Sequence, residues 1–82
     1  IRCNAIAPGW INSDLSDDYI NAQADPIQAR HDLHAMHPIG RTGEPEDVGN
    51  LVVFLASQQA GFITGQIFVI DGGRTAKLPL PF

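Results

Sequence analysis

Ile1-Arg2-Cys3-Asn4-Ala5-Ile6-Ala7-Pro8-Gly9 decides the fold of this chain. Residues 1–7 are mostly apolar and read as a buried strand. Pro8-Gly9 then stops it, because Pro lacks a backbone N–H and Gly permits unusual backbone angles. A strand buried in this way belongs in a parallel sheet, where the loop at its carboxyl end addresses a ligand held by the rest of the sheet. Because the stretch opens without Met, the expectation is the middle of a domain rather than its start.

Working outward, the strand's partner is Gln66-Ile67-Phe68-Val69-Ile70, β-branched and aromatic at consecutive positions, as expected of a strand buried on both faces. Asp71-Gly72-Gly73 turns it off, and no helix is expected after it. Between the strands, Glu44-Pro45-Glu46-Asp47 starts a helix over residues 45–57, with Pro at the first helical position and carboxylates complementing the dipole. Val48, Leu51, Val52, Leu55 and Ala56 follow helical spacing, and Val53 and Phe54 widen the apolar arc, so this helix is expected to be covered on two sides. Gly61 is available as its left-handed cap. Residues 14–37 form a helical flap: a short helix after the capping residues from Ser13, then one capped by Asp25, opened by Pro26 and ended by Pro38. Residues 74–82, with Pro79 and Pro81, read as an extended tail.

Composition bounds the function. The chain has 82 residues, 44% hydrophobic and 17% charged. That is at most one small domain, light on charge for one that must cover its own surface. A net charge of -4 with scattered cations argues against a nucleic-acid partner. A single cysteine, Cys3, cannot form an internal disulfide, so a reduced, cytoplasmic setting is the default. Cys3 itself reads as a small buried hydrophobe in the strand. No apolar run approaches the ~20 residues that span a bilayer, so no membrane partner is expected.

Taken in order, Asn4-Ala5-Ile6-Ala7-Pro8-Gly9 with Ile11 and Ser13, Pro38-Ile39-Gly40-Arg41 with Gly43-Glu44-Pro45-Glu46-Asp47-Val48, Phe54-Leu55-Ala56-Ser57, Ile63-Thr64-Gly65-Gln66 and Val69-Ile70-Asp71-Gly72-Gly73 resemble the carboxyl-terminal third of the short-chain dehydrogenase/reductase family. The resemblance implies an α/β fold: the C-terminal fragment of a Rossmann-type doubly wound parallel sheet, with its last two strands, crossover helix and helical substrate lid. It divides the chain into a strand and cofactor loop (1–13), the lid (14–37), the crossover helix (45–57), the last strand (66–70) and the tail (74–82). It implies a parent enzyme that moves hydride between NAD or NADP and an alcohol or carbonyl. Pro8, Gly9, Ile11 and Ser13 carry over as cofactor-binding positions, with backbone groups near Ile11 meeting the carboxamide. Ser13 stands where the family usually has Thr, keeping the hydroxyl and losing the methyl. Trp10, Leu15 and Met36 are the lid positions offered to substrate, although Trp10 serves equally well as packing for the flap. A homo-oligomer through the 45–57 helix and the 66–70 strand is implied as well.

The family's catalytic Tyr has a Lys four residues on. Here the only Tyr, Tyr19, is followed at that spacing by Gln23, and the only Lys, Lys77, lies in the tail. Neither Gly40-Arg41-Thr42-Gly43 nor Gly61-Phe62-Ile63-Thr64-Gly65 has the spacing or preceding strand of a dinucleotide turn. The chain alone is therefore expected to be non-catalytic and to bind no cofactor unaided. Two other readings stand beside this one. The first is a non-enzymatic self-associating α/β module, since an apolar sheet edge seeks a partner. The second is a zinc module built on His31, His34 and His37, disfavoured because the third histidine is rotated away from the first two and sits beside Pro38. Arg41 and Asp47 are expected to fix the turn and helix start.

Overall fold

The computed structural model describes residues 1–76. Two short parallel strands, β1 (Ala5–Pro8) and β2 (Ile67–Ile70), pair in register with Ala5 opposite Ile67 and Pro8 opposite Ile70. Between them run α1 (Asp14–Asn21), α2 (Pro26–Ala35) and α3 (Pro45–Ala56), followed by a 3-10 turn at Gln58–Ala60. This is an α/β fold with a small parallel sheet and flanking helices, a partial Rossmann-type sheet.

The first strand begins later than its sequence suggests. Residues 2–4 lie alongside 63–66 but bond irregularly: the Cys3 N–H donates to Thr64 Oγ1 at 3.1 Å and the Gln66 N–H to Asn4 Oδ1 at 3.1 Å. The opposing Gly65 has φ +72, which breaks the extended run and keeps a regular ladder from forming until Ala5. Cys3 is exposed and precedes the strand, which corrects its reading as a buried hydrophobe.

The sheet is not buried on both faces either. Ile6, Phe68 and Ile70 are half-buried on the side where an open groove runs between β1 and α3, whereas Ile67 and Val69 on the opposite face are exposed. Among the described residues only α3 lies beside the two strands, so one face of the sheet has no covering layer from them. The same holds for α3, where Leu55 is buried while Val53, Phe54 and Val52, the last beside the groove, are exposed, so the expected second cover is not supplied by the described residues.

α3 starts as expected, with Glu44 as N-cap, Pro45 in the first turn and the Glu44 N–H donating to Asp47 Oδ2 at 2.8 Å. Its end differs. Gly61 has φ -61 and is not a left-handed cap. Ser57 turns to an extended conformation and its hydroxyl donates to the Phe54 carbonyl, ending the helix at Ala56. The Arg2 guanidinium takes the carbonyls of Leu55 at 2.9 Å, Ser57 at 3.3 Å and Ile63 at 3.2 Å. Orphan carbonyls at the helix end are thus satisfied by a charge that also complements the dipole.

In the flap, Ser13 caps α1 and exchanges hydrogen bonds with Ser16, and Asp25 Oδ1 caps α2 by accepting from the Gln28 N–H. Arg74–Ala76 form a 3-10 turn where an extended tail was expected. The rest of that tail lies outside the described residues.

Candidate functional site

The site is the carboxyl end of the two strands. The Gly9 N–H donates to the Ile70 carbonyl at 2.9 Å, carrying the ladder one residue past Pro8. A Cβ on Gly9 would stand 2.7 Å from Asp71 Cβ and 3.1 Å from Asp71 Cα, so glycine is required for this close approach of loop and strand end.

Beyond Gly9 the loop pairs with the stretch leading into α3. The Gly43 N–H donates to the Trp10 carbonyl at 2.9 Å and the Asn12 N–H to the Gly43 carbonyl at 2.8 Å, a parallel bridge centred on Ile11. Within such a bridge the central residue's own N–H and C=O point the other way. No described group accepts from the Ile11 N–H or donates to its C=O. Its side chain lies across Gly43, where an added Cβ would come within 2.6 Å of Ile11 Cδ1.

Side chains lock this pairing. Thr42 is buried and its hydroxyl donates to Asn12 Oδ1 at 2.8 Å, while Asn12 Nδ2 donates to Glu44 Oε1 at 2.7 Å. Arg41 pairs with Asp47 through Nη1 to Oδ2 at 2.9 Å and Nη2 to Oδ1 at 3.3 Å, fixing the turn and helix start as the sequence suggests. The hydrogen bond from Arg41, then the Glu44 N–H, holds the Asp47 carboxyl below the usual carboxylate range, and the same contact raises the Arg41 guanidinium. Asp71 is lowered too, chiefly by the Thr75 hydroxyl and N–H and then by the Gly73 N–H, so its carboxylate is spent on its own turn. A cavity of about 160 Å³ opens here, bordered by Trp10, Ile11, Ile39, Thr42, Ile70 and Asp71.

Of the positions expected from the sequence, Gly9 and Ile11 come together with Trp10 at this end of the sheet, and Pro8 closes β1 opposite Ile70. Ser13 lies at the loop's far end, where its Oγ accepts from the Ser16 N–H at 3.2 Å as the cap of α1. Trp10 borders the cavity and sets its ring 6.1 Å from that of Tyr19 on α1 at 53°, packing the flap. Leu15 and Met36 are exposed and do not border the cavity. Tyr19 is exposed, and Gln23 Nε2 donates to its backbone carbonyl.

His37 corrects the picture of three histidines on a solvated lid, since it is 3% exposed. Its Nδ1 lies 2.8 Å from the Leu33 carbonyl, which can only accept, so the proton sits on Nδ1. Among the described residues no three His, Cys, Asp or Glu side chains converge as metal ligands. Asn12 and Thr42 were not singled out from the sequence. They are thirty residues apart, and no local pattern links them.

Residues 1–75 match the family model described as enoyl-(acyl carrier protein) reductase. The chain is 44% identical over 78 residues to 2-(S)-hydroxypropyl-CoM dehydrogenase 3 of Xanthobacter autotrophicus, a match covering 93% of this chain and 30% of that protein. It superposes on ligand-free aldohexose dehydrogenase of Thermoplasma acidophilum with a TM-score of 0.84 and 34% identity, covering 99% of this chain and 34% of that one. On 4-hydroxyisoleucine dehydrogenase complexed with NADH the TM-score is 0.79 and the identity 37%, over 95% of this chain and 30% of that one. The chain belongs to the short-chain dehydrogenase/reductase family. It spans about a third of the length of the relatives it matches.

Proposed function

We propose that this chain is the cofactor-closing loop, lid and last strand of an NAD(P)-dependent oxidoreductase that interconverts an alcohol and a carbonyl. The observation that carries this reading is the Ile11 backbone. Its neighbours are tied to Gly43 while its own N–H and C=O are free of described partners, giving one donor and one acceptor at the carboxyl end of a parallel sheet. A primary carboxamide offers the complementary acceptor and donor, so these groups fit the nicotinamide side of NAD or NADP. When bound, the nicotinamide gives or takes the hydride. Ile11 holds and orients it, Pro8-Gly9 shapes the turn that brings the loop over it, and the Ser13 hydroxyl, which caps α1 and donates to Ser16 Oγ at 3.4 Å, reaches the cofactor by giving up that bond to Ser16. Trp10 borders the cavity from the lid side.

The acid/base is supplied from outside residues 1–82. Tyr19 has no lysine four residues on, and no glycine turn here cradles a pyrophosphate. The 82 residues alone are therefore non-catalytic. The relatives' names support the class: one is a dehydrogenase of a hydroxypropyl compound and another was solved with NADH. Among the described residues no helix is long and apolar enough to cross a membrane. We assign a cytoplasmic setting from the single exposed cysteine.

A second reading, self-association, is favoured by the exposed Val52, Val53, Ile67 and Val69 on α3 and β2. In the oxidoreductase these surfaces contact the rest of the sheet and a second subunit. Calorimetric titration of the full reading frame carrying this chain with NADH and NADPH tests the first reading, which predicts saturable binding of one of them and NAD(P)-linked turnover of a carbonyl or alcohol. Absence of both overturns it. Sedimentation of the 82-residue chain tests the second, and a monomer contradicts it.

A further inference from the structure

We propose that Asn12 and Thr42 form a clasp that positions the Ile11 backbone for the nicotinamide carboxamide, a proposal that rests on the oxidoreductase reading above. The two residues stand on opposite stems of the lid. Asn12 follows the cofactor loop, Thr42 precedes α3, and the whole of α1 and α2 lies between them. The direction of every proton in the clasp is fixed. The Glu44 carboxylate can only accept, so Asn12 turns Nδ2 toward it at 2.7 Å, and Oδ1 is left facing Thr42 to accept its hydroxyl at 2.8 Å. A flipped Asn12 amide would set its oxygen against the carboxylate.

Thr42 is 3% exposed, so removing its hydroxyl leaves Asn12 Oδ1 without its donor beside a closed surface. Glu44 is no loose partner either. It caps α3, and its N–H is held by Asp47, which Arg41 grips in turn. Residues 41–47 thus form a block bonded to the start of α3, and the clasp ties residue 12 to that block. The two backbone bonds to Gly43 set the plane of the Ile11 peptide, and the clasp holds those bonds in register. Among the described residues the lid helices exchange only local bonds and one ion pair and touch the loop through the Trp10–Tyr19 rings, so the hydrogen bonds that fix Ile11 come from the clasp side.

The proposal separates nicotinamide binding from nucleotide binding. In the full-length protein carrying this chain, Thr42→Val keeps the side-chain shape and deletes the hydroxyl. It is expected to weaken NADH or NADPH binding by about fivefold, the loss of roughly one net hydrogen bond. Binding of ADP-ribose, or of its 2′-phosphate for an NADP enzyme, should stay unchanged because it lacks the nicotinamide. Thr42→Ser should restore the unsubstituted affinity. Asn12→Ala, at a half-buried site, is the second variant and should show the same selective loss if Thr42→Val does not fold. Equal weakening of cofactor and ADP-ribose, or a fall in melting temperature with cofactor binding intact, overturns the clasp alone. No saturable binding of either cofactor by the unsubstituted protein overturns the oxidoreductase reading and the clasp with it.

Discussion

The lid and the strand-end scaffold are built from opposite kinds of contact. Within residues 13–37 the side-chain bonds are local: Ser13 with Ser16, Gln23 with the Tyr19 carbonyl, Asp25 with Gln28, Gln28 with Asp32 and His37 with Leu33. One ion pair, Arg30 to Asp17 at 3.9 Å, links the two helices. The scaffold instead joins residues far apart in sequence: Arg2 to Leu55 and Ile63, Asn4 to Gln66, Asn12 to Thr42 and Glu44. A region coded locally tolerates replacement without disturbing its neighbours, whereas a scaffold of distant pairs holds one geometry. That division is what the proposed oxidoreductase reading asks for: a scaffold of one geometry to meet a cofactor and a locally coded lid to meet a substrate.

Breaking the scaffold should therefore cost more than breaking the lid. Arg2→Met removes a part-buried charge from three carbonyls and should destabilise the protein by about 2–3 kcal/mol, read by denaturant unfolding. An effect under about 0.5 kcal/mol would place Arg2 among ordinary surface residues. Gly9→Ala forces a methyl against Asp71 and should cost about 2 kcal/mol while also lowering cofactor affinity, since loop and strand end must part. In the lid, Asp25→Ala should cost about 1 kcal/mol, and its effect should stay within α2, as read by amide exchange. Arg30→Ala should change stability by less than about 0.5 kcal/mol, because the pair is long and exposed. A larger cost would mean that the lid is anchored by more than local bonds.

Acid should find the scaffold through two carboxylates. Asp47 and Asp71 are both lowered from 3.8, so each contributes stability that is complete above that value and is lost as pH falls through the folded pKa. Amide protection at the start of α3 and around Gly73 should thus hold down to pH 3.8 and decline below it. Loss of protection at neutral pH would contradict the assigned bonds.

The same local and distant division explains what was legible in the sequence. Asp25-Pro26 marked the start of α2, and Glu44-Pro45 with Asp47 marked the start of α3, because capping is coded within four residues. Pro8-Gly9 was legible as the end of β1, and the order of several motifs carried the family. The place where α3 ends was legible to within a residue, but not what satisfies it, because its carbonyls bond to Arg2, more than fifty residues away in sequence, and not to a left-handed Gly61 cap. Nor was His37 legible as a buried residue, since its cover includes the Gly72 turn at the other end of the chain. Asn12 and Thr42 escaped notice for the same reason. Ser13 was legible among the capping residues ahead of α1, and because α1 begins at Asp14 it is Ser13 itself that caps it.

On the proposed reading the N–H and C=O of Ile11, unpartnered among the described residues, grip the nicotinamide carboxamide. Ile11→Pro deletes an N–H that no described group accepts from, so any loss it causes in cofactor binding belongs largely to the cofactor contact. In the full-length protein the substitution is expected to weaken NADH or NADPH binding at least about fivefold and to leave ADP-ribose binding unchanged. Unchanged affinity for both ligands would contradict it.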